Sequence, residues 1–316
     1  MIKNRRAFII GLKGYKISKK EILFLKKFKP WGIILFSRNI KTIQQVKNLN
    51  SHIKKIFSDK NYPILIDEEG GKVSRLGEFI DNSIFSAQYF NKLYKSNKKK
   101  FYIYYETYIN QISYLLNLLG ININTVPVLD VRRKITNKII GNRSFSSDPL
   151  IVSKLGKFCI DKFHKNHIAT VIKHIPGHGL SKVDSHKKLP VVSKDIKYLN
   201  RVDFYPFKKQ KSLLAMTAHI MFSSIDKKNT VTHSKKILSI IRKKILFKNL
   251  IMSDDISMKA LKYSVSKNTT QAFKAGCDLV LHCNGKYNEM LIVAKNSPIL
   301  SNFVIKKTSQ LLNIIR

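Results

Sequence analysis

Short apolar runs separated by longer amphipathic stretches recur along the whole chain. The runs are rich in Ile, Val and Leu and mostly lack polar–apolar alternation, which is typical of strands buried on both faces. They are Ala7–Leu12, Trp31–Phe36, Pro63–Ile66, Ile121–Leu129, Ile168–Ile172, Leu213–Ala218, Leu250–Met252 and Cys277–Leu281. We predict a β-strand at each of these runs.

The stretches between the runs carry helix start signals. Ser18 and Glu21 have the spacing of a capping box and open a stretch that ends near Phe28. The segment Ser147-Asp148-Pro149 begins another helix, which runs to about Asn166. Strand–helix alternation without a linker predicts an α/β fold with one (β/α)8 TIM barrel, forming a single domain over residues 1–316. An open doubly wound sheet with a second domain is the alternative, and the lack of a G-x-G-x-x-G motif after the first strand counts against it.

Ionisable side chains follow most of the predicted strands directly. In a TIM barrel the active site lies at the carboxyl ends of the strands. The residues at these ends are Asp67-Glu68-Glu69, Asp130, Lys173-His174, His219, Asp254-Asp255 and His282-Cys283-Asn284. Because the chain has only 19 acidic residues, the concentration of carboxylates at strand ends predicts an active site there.

Asp254 and Asp255 follow one apolar run as adjacent carboxylates. On extended backbone their side chains point in opposite directions, so only one can face the barrel axis. The inward carboxylate would be a nucleophile, a base or a metal ligand. The other could cap a helix starting near Ser257, and the alternative is that both are ordinary caps.

The densest cluster of candidate chemistry is Lys173-His174-Ile175-Pro176-Gly177-His178-Gly179, followed by Asp184-Ser185-His186. Proline and glycines predict a loop, and its low apolar content predicts that residues 174–190 are mobile without substrate. Asp184 and His186 are spaced so that the carboxylate can hold the imidazole in one tautomer. A zinc site built from His174, His178 and His186 is one alternative, although the spacing matches no established zinc motif. Solvated loop histidines are the other.

Two arginines lie near further carboxylates in the sequence. Arg75 follows Asp67 across the Gly70-Gly71 pair, and Arg143 precedes the predicted helix at Pro149. Glycines allow backbone to approach a ligand closely. Arginine forks together with carboxylates suit a ligand that has both hydroxyl groups and acceptor oxygens, such as a sugar. The alternative for either arginine is a surface ion pair.

The chain is strongly basic, with 59 Lys+Arg against 19 Asp+Glu and a formal net charge of +40. The basic residues are scattered, no basic run is longer than three residues, as in Lys98-Lys99-Lys100, and no nucleic-acid-reading motif is present. We therefore interpret the charge as a compositional bias and expect no specific nucleic-acid partner. A non-catalytic, polyanion-binding protein with a vestigial barrel remains the alternative from another functional class.

Composition also excludes several classes of protein. A hydrophobic share of 44% is too high for a disordered chain, and 3 Cys are too few for a disulfide framework. The first apolar run is too short for a signal peptide and lacks a small-residue cleavage site, and no run is long enough to span a membrane. We expect a soluble, cytoplasmic monomer that has no membrane partner.

The successive motifs resemble those of bacterial β-N-acetylhexosaminidases of glycoside hydrolase family 3, in the same order, over roughly residues 7–285. The motifs are DEEGGKVSRL, NTVPVLDV, GNRSFSSDP, KHIPGHG with DSH and LPVV, AMTAHIMF, SDDISMKAL and GCDLVLHCNG. The resemblance is strongest to the single-domain cytoplasmic type that recycles peptidoglycan. Two positions depart from the family pattern, Glu68 where Gln is usual and Lys72 where Arg is usual.

The resemblance implies a retaining exo-β-N-acetylglucosaminidase acting on muropeptides that carry N-acetylglucosamine linked to anhydro-N-acetylmuramic acid. It implies that Asp254 is the nucleophile, that His186 is the general acid and base, and that Asp184 orients His186. The residues implied to hold the sugar are Asp67, Arg75, Arg143, Lys173 and His174. No metal or cofactor is implied, and the expected partner is a saccharide substrate. Phosphorolysis on the same scaffold stays open, because a histidine would not repel incoming phosphate as a carboxylate would.

Overall fold

The computed structural model describes residues 2–185 and 188–315. Within these ranges it contains ten strands: β1 Arg6–Gly11, β2 Pro30–Leu35, β3 Ile64–Ile66, β4 Ile123–Asn124, β5 Ala169–Ile175, β6 Val191–Val192, β7 Leu214–Thr217, β8 Met221–Phe222, β9 Leu250–Asp255 and β10 Leu279–His282. Eight of them form a closed parallel barrel in the order β1-β10-β9-β7-β5-β4-β3-β2. All eight predicted strands lie in this barrel, so the TIM-barrel prediction is confirmed. The short strands β6 and β8, which were not predicted, pair with each other outside it.

Helices surround the barrel. They are α1 Lys19–Phe28, α2 Ile43–Phe57, α3 Ala87–Ser96, α4 Lys98–Leu119, α5 Pro149–Lys165, α6 Ile196–Arg201, α7 Lys235–Lys243, α8 Val265–Ala275, α9 Tyr287–Asn296 and α10 Asn302–Ile314. The described residues also form short 3-10 turns at Ile2–Asn4, Ser37–Asn39, Gly141–Arg143, Tyr205–Phe207 and Val231–His233. None of these helices is long and apolar enough to cross a membrane.

Both predicted helix starts are confirmed. The Ser18 hydroxyl accepts a hydrogen bond from the Glu21 N–H, and the Glu21 carboxylate accepts one from the Ser18 N–H in return. Asp148 caps α5 and Pro149 occupies its first turn. A helix starting near Ser257 was predicted wrongly, because the chain forms a turn there and the next helix begins at Val265 with Ser264 as its cap.

The core has two layers. One lies between the strands and the surrounding helices, and the other fills the inside of the barrel with side chains such as Ile9, Trp31 and Leu250. The C-terminal helix α10 closes the amino-terminal end of the barrel, where Val304 and Leu311 join the inner layer. Trp31 Nε1 donates to Thr308 Oγ1 over 2.9 Å, which satisfies the indole N–H inside this layer. With that end closed by α10, the open end of the barrel is the carboxyl end, where the candidate site lies.

Candidate active site

A cavity of about 260 Å³ opens among the residues at the carboxyl ends of the strands. This volume is just below the usual range of about 300–1,000 Å³ for ligand pockets. Its lining includes six of the predicted site residues: Asp67, Arg75, Arg143, Lys173, His174 and Asp254. The structure thus brings together residues that are up to 187 positions apart in the sequence (254 − 67).

Asp67 and Asp254 lie on opposite sides of the barrel. Asp67 follows β3 and Asp254 is in β9, and these strands are four places apart in either direction around the ring of eight. A sugar ring in the cavity would therefore have one edge near Asp67 and the opposite edge near Asp254.

Four charged side chains form an ion-pair cluster on the Asp67 side: Asp67, Glu69, Arg143 and Lys173. Glu69 accepts two hydrogen bonds from Arg143, from Nε over 2.7 Å and from Nη2 over 2.8 Å. Lys173 Nζ lies 2.6 Å from Glu69 Oε1 and 3.0 Å from Asp67 Oδ1. Bidentate arginine pairs add geometric specificity as well as energy, so the relative orientation of Arg143 and Glu69 is well defined.

The cluster keeps its charges in spite of burial. Burial alone would raise the pKa of Glu69, but Arg143 and Lys173 outweigh it and lower that pKa to about 2. Burial would also raise the pKa of Asp67, and Lys173 and Arg75 together hold it well below its usual range. The pKa of Lys173 is raised, because Asp67 and Glu69 more than offset the effect of its burial. All these groups are therefore charged at neutral pH.

The Thr125 hydroxyl and the Arg75 guanidinium complete this side of the cavity. The Thr125 hydroxyl donates to Asp67 and accepts from Lys173 Nζ over 2.8 Å. Arg75 Nη2 lies 3.5 Å from Asp67 Oδ2. The backbone N–H of Arg75 donates to Glu68 over 2.7 Å. Glu68 thus shapes the turn that carries Arg75 and does not line this cavity.

The turn between Asp67 and Arg75 needs its first glycine. Gly70 has φ +80°, and a side chain there would lie 2.3 Å from the Phe85 carbonyl oxygen. Gly70 therefore allows a close approach to another part of the chain, and the predicted approach of this backbone to a ligand stays a prediction.

Asp254 is the inward carboxylate of the adjacent pair and lines the cavity. Its Oδ1 accepts the Asp255 N–H over 2.7 Å. Burial would raise the pKa of Asp254, but His219 and His174 lower it on balance. An ionised carboxylate that faces the cavity can act as a nucleophile.

Asp255 has a different environment. Its Oδ1 accepts the Ser257 N–H over 3.0 Å and the Cys283 N–H over 3.3 Å. It therefore caps a turn and ties the end of β9 to the segment after β10, which agrees with the predicted division of roles except that no helix starts at the turn.

His219, which follows β7, is fixed from both ring nitrogens. Its Nδ1 lies 2.8 Å from Thr232 Oγ1 and its Nε2 lies 2.9 Å from the Asp255 carbonyl oxygen. Burial lowers the pKa of His219, against the smaller opposing effect of Asp254. The ring supports the end of β9 and so the backbone that positions Asp254.

His174 and His178 are buried, so the solvated-histidine alternative is wrong for both. His174 Nδ1 lies 2.7 Å from Asp130 Oδ2. The His178 N–H donates to Asp130 Oδ1 over 2.7 Å, and burial lowers the pKa of the His178 ring to about 4. Residues 174–181 are all buried, so the first half of the segment predicted to be mobile is packed into the protein.

The loop carrying the predicted acid/base reaches the same cavity. Ser185 lines it, and the Ser185 carbonyl oxygen accepts the Ala260 N–H over 3.2 Å, which ties the loop to the turn after Asp254. The Asp184 carbonyl oxygen accepts the Lys188 N–H over 3.0 Å. His186 lies outside the described residues.

Two residues of the site, Glu69 and Asp130, were predicted to lie at strand ends but were given no role in the site. Glu69 organises the ion-pair cluster and Asp130 holds His174. Both follow apolar runs, which was the available signal. Among the residues that the structure describes, no group of three or more His, Cys, Asp or Glu is arranged to hold a metal ion. The zinc alternative also included His186, on which the described residues give no information.

The comparisons with known proteins agree with this geometry. Residues 7–314 match the model of the glycosyl hydrolase family 3 N-terminal domain. A β-hexosaminidase of Hydrogenovibrio crunogenus is 33% identical over 262 residues, which cover 80% of this chain and 71% of that protein. β-Hexosaminidase A of Pseudoalteromonas piscicida is 30% identical over 81% of this chain, but the match covers only 46% of that longer relative.

Solved structures show the same architecture. NagZ from Neisseria gonorrhoeae, in complex with N-trifluoroacetyl-D-glucosamine, superposes with a TM-score of 0.84 and 27% identity. The match covers 98% of this chain and 90% of that one. Sequence family, barrel topology and cavity agree, and the chain belongs to glycosyl hydrolase family 3.

Proposed function

We propose that the chain is a retaining exo-β-N-acetylglucosaminidase that removes terminal β-linked N-acetylglucosamine from peptidoglycan fragments in the cytoplasm. The broader activity follows from the family and from the β-hexosaminidases that it matches: the chain is a glycoside hydrolase of the β-N-acetylhexosaminidase type. The choice of N-acetylglucosamine as the sugar is supported by NagZ from Neisseria gonorrhoeae, whose structure was solved with an N-acylated glucosamine derivative. The muropeptide substrate and the recycling role rest on the motif resemblance.

The observation that carries the proposal is the placement of Asp254 across the cavity from Asp67 and the ion-pair cluster. The cluster and His174 would hold the hydroxyl and acetamido groups of the sugar. The anomeric carbon would then face Asp254, whose lowered pKa keeps it ionised and able to attack.

The proposed reaction has two steps. In the first, Asp254 forms a bond to the anomeric carbon while His186, oriented by Asp184, protonates the departing glycosidic oxygen. In the second, His186 takes a proton from a water molecule that attacks the anomeric carbon and releases Asp254. Two displacements at one carbon give net retention of configuration. The non-catalytic alternative does not suit a chain that belongs to a hydrolase family.

The test is the hydrolysis of a chromogenic N-acetylglucosaminide by the wild type, Asp254→Ala and Asp255→Ala. We expect Asp254→Ala to lose several orders of magnitude in kcat and to stay folded. Asp255→Ala is the matched control, since it removes a neighbouring carboxylate that bonds Ser257 and Cys283. It should lower the melting temperature and keep most activity. An active Asp254→Ala with a folded but inactive Asp255→Ala would refute the assignment.

Phosphorolysis is separated from hydrolysis by the same assay. Rates and products are compared in phosphate and in a non-nucleophilic buffer. We expect equal rates and free N-acetylglucosamine in both, and formation of a sugar phosphate would favour the alternative.

The role of His186 needs its own experiment. An aryl leaving group departs without protonation, whereas the oxygen of a natural disaccharide needs a proton. His186→Ala should therefore slow disaccharides more than aryl glycosides, by about 10²–10⁴-fold. Azide needs no base, and it should restore turnover of the aryl substrate and give a β-glycosyl azide. Equal losses on both substrates without an azide product would show that the proton donor lies elsewhere.

A further inference from the structure

The Asp130 carboxylate lies fully buried behind the cavity, in the loop that follows β4. Its two oxygens have different partners. Oδ1 accepts the backbone N–H groups of His174 over 3.3 Å and His178 over 2.7 Å. Oδ2 lies 2.7 Å from the ring Nδ1 of His174.

These contacts determine the charge of Asp130. Burial would raise the pKa of Asp130, but His174 outweighs it, with help from His178, so the pKa is lowered. An ionised carboxylate has no proton to donate, so the bond to His174 must be donated by the ring. Nδ1 of His174 therefore carries a proton, and Nε2 is left for the cavity.

We propose that Asp130 is a positioning residue, which fixes the orientation and the Nδ1–H tautomer of His174 so that Nε2 meets the sugar. This deepens the proposed function and rests on it, because His174 is taken to contact substrate. Carboxylates that hold an imidazole from behind are a recurrent way of setting its orientation and basicity.

Asp130 also links neighbouring parts of the site. Its Oδ1 holds the amide of His178, at the base of the loop that leads to Asp184. Its backbone carbonyl oxygen accepts the Ser144 hydroxyl over 2.6 Å, next to Arg143. One residue thus ties the His174 ring to the loop on one side and to the segment of Arg143 on the other.

The hydrogen bonds of Asp130 predict a change of the His174 tautomer in Asp130→Asn, a substitution that keeps the shape of the side chain. The amide oxygen has to remain at Oδ1, because two backbone N–H groups point at it. The NH₂ group then occupies the Oδ2 position and donates to Nδ1 of His174. The ring must shift its proton to Nε2, so the nitrogen that faces the cavity changes from an acceptor to a donor in the neutral ring.

The experiment combines ¹⁵N NMR of histidine-labelled protein with kinetics on an aryl N-acetylglucosaminide. His174→Gln assigns the His174 ring signals by their disappearance. We expect the Nδ1–H tautomer of the His174 ring in the wild type and the Nε2–H tautomer in Asp130→Asn. We expect kcat/KM to fall by about 10–100-fold, mostly through KM.

Three further tests distinguish this role from a purely structural one. Melting temperatures show whether Asp130→Asn is folded, and Asp130→Glu serves as a second variant that keeps the charge and should retain the Nδ1–H tautomer. In the His174→Gln background, Asp130→Asn should add little further loss in kcat/KM. An unchanged tautomer, or an equally large loss in that background, would overturn the proposal. The NMR result needs no substrate, so an inactive wild type would refute the proposed function separately.

Discussion

The two walls of the cavity differ in how their carboxylates are paired. The β3–β5 wall is formed by Asp67, Glu69, Arg143 and Lys173. On this wall Glu69 and Asp67 each lie within 3.0 Å of the Lys173 ammonium group, and Arg143 donates two hydrogen bonds to Glu69. On the β9 wall, the one hydrogen bond to the Asp254 carboxylate from the described residues is donated by the Asp255 N–H.

This difference in pairing indicates that the two walls have different functions. Buried carboxylates that are paired with cations are held in place, and they are weaker nucleophiles because their negative charge is shared with those cations. A carboxylate that stays ionised without a close cation from the described residues keeps electron density available for attack. We infer that the β3–β5 wall binds the sugar and the β9 wall performs the chemistry.

The largest effect on stability is expected from Glu69→Gln, which leaves Arg143 and Lys173 without their shared counter-charge. Breaking a buried pair from one side costs about 3–5 kcal/mol in unfolding free energy. Because both cations are assigned to the sugar, kcat/KM should also fall, mainly through KM. Chemical denaturation and steady-state kinetics measure the two effects.

A matched control is Glu106→Gln, which removes the partner of Lys162 in an ion pair that is far more exposed. Exposed pairs are worth about 0–1 kcal/mol, and this one lies outside the cavity lining. If the two variants lose similar stability and both keep full kcat/KM, the β3–β5 wall is not the binding surface described above.

The pH dependence of the stability loss in Glu69→Gln tests whether the charge of Glu69 is what stabilises the β3–β5 wall. The pKa of Glu69 is about 2 in the folded protein and about 4.3 when unperturbed. The unfolded state therefore binds more protons between these values, and the stabilisation by Glu69 is complete above the unfolded pKa and lost as the pH falls towards 2. The difference in unfolding free energy between wild type and variant should shrink from pH 6 to pH 3, at a slope of up to about 1.4 kcal/mol per pH unit. A difference that stays constant over this range would show that the negative charge of Glu69 is not the source of its stabilising effect.

A smaller effect is expected from Thr125→Val, which removes the hydroxyl between Asp67 and Lys173 and leaves every charge in place. Hydrogen bonds to charged groups are worth about 1.5–3 kcal/mol. We expect a stability loss in that range and a loss of kcat/KM smaller than that of Glu69→Gln. Thr107→Val is the control, because the Thr107 hydroxyl donates to a backbone carbonyl on the exposed face of α4. A larger kinetic effect from Thr125→Val than from Glu69→Gln would mean that charge pairing is not what orders this wall.

The barrel was predictable from the sequence because parallel strands buried on both faces leave continuous apolar runs. Even β4, only Ile123–Asn124 in the structure, lies within a longer predicted run. The pair β6 and β8 was missed because two-residue strands leave no pattern. The helix predicted near Ser257 failed because an Asp that bonds the N–H two residues later looks the same in sequence at a turn and at a helix start.

The site residues were predictable as strand ends, but their partners were not. Glu69 binds Lys173 and Arg143 because β3, β4 and β5 are neighbours in the closed ring. Asp130 meets His174 for the same reason. Such pairings depend on which strands lie side by side and how far each side chain reaches, and neither property is visible in local patterns.

The proposed reaction requires a covalent bond between Asp254 and the sugar. It is tested most directly by mass spectrometry after incubation with an activated 5-fluoro N-acetylglucosaminide, which should form the glycosyl–enzyme intermediate and release it slowly. We predict one added fluoro-N-acetylglucosaminyl group on the intact protein, located by peptide fragmentation at Asp254 and absent from Asp254→Ala. A label on Asp67, Glu69 or Asp255, or turnover of the reagent with no covalent adduct at any time, would contradict the account.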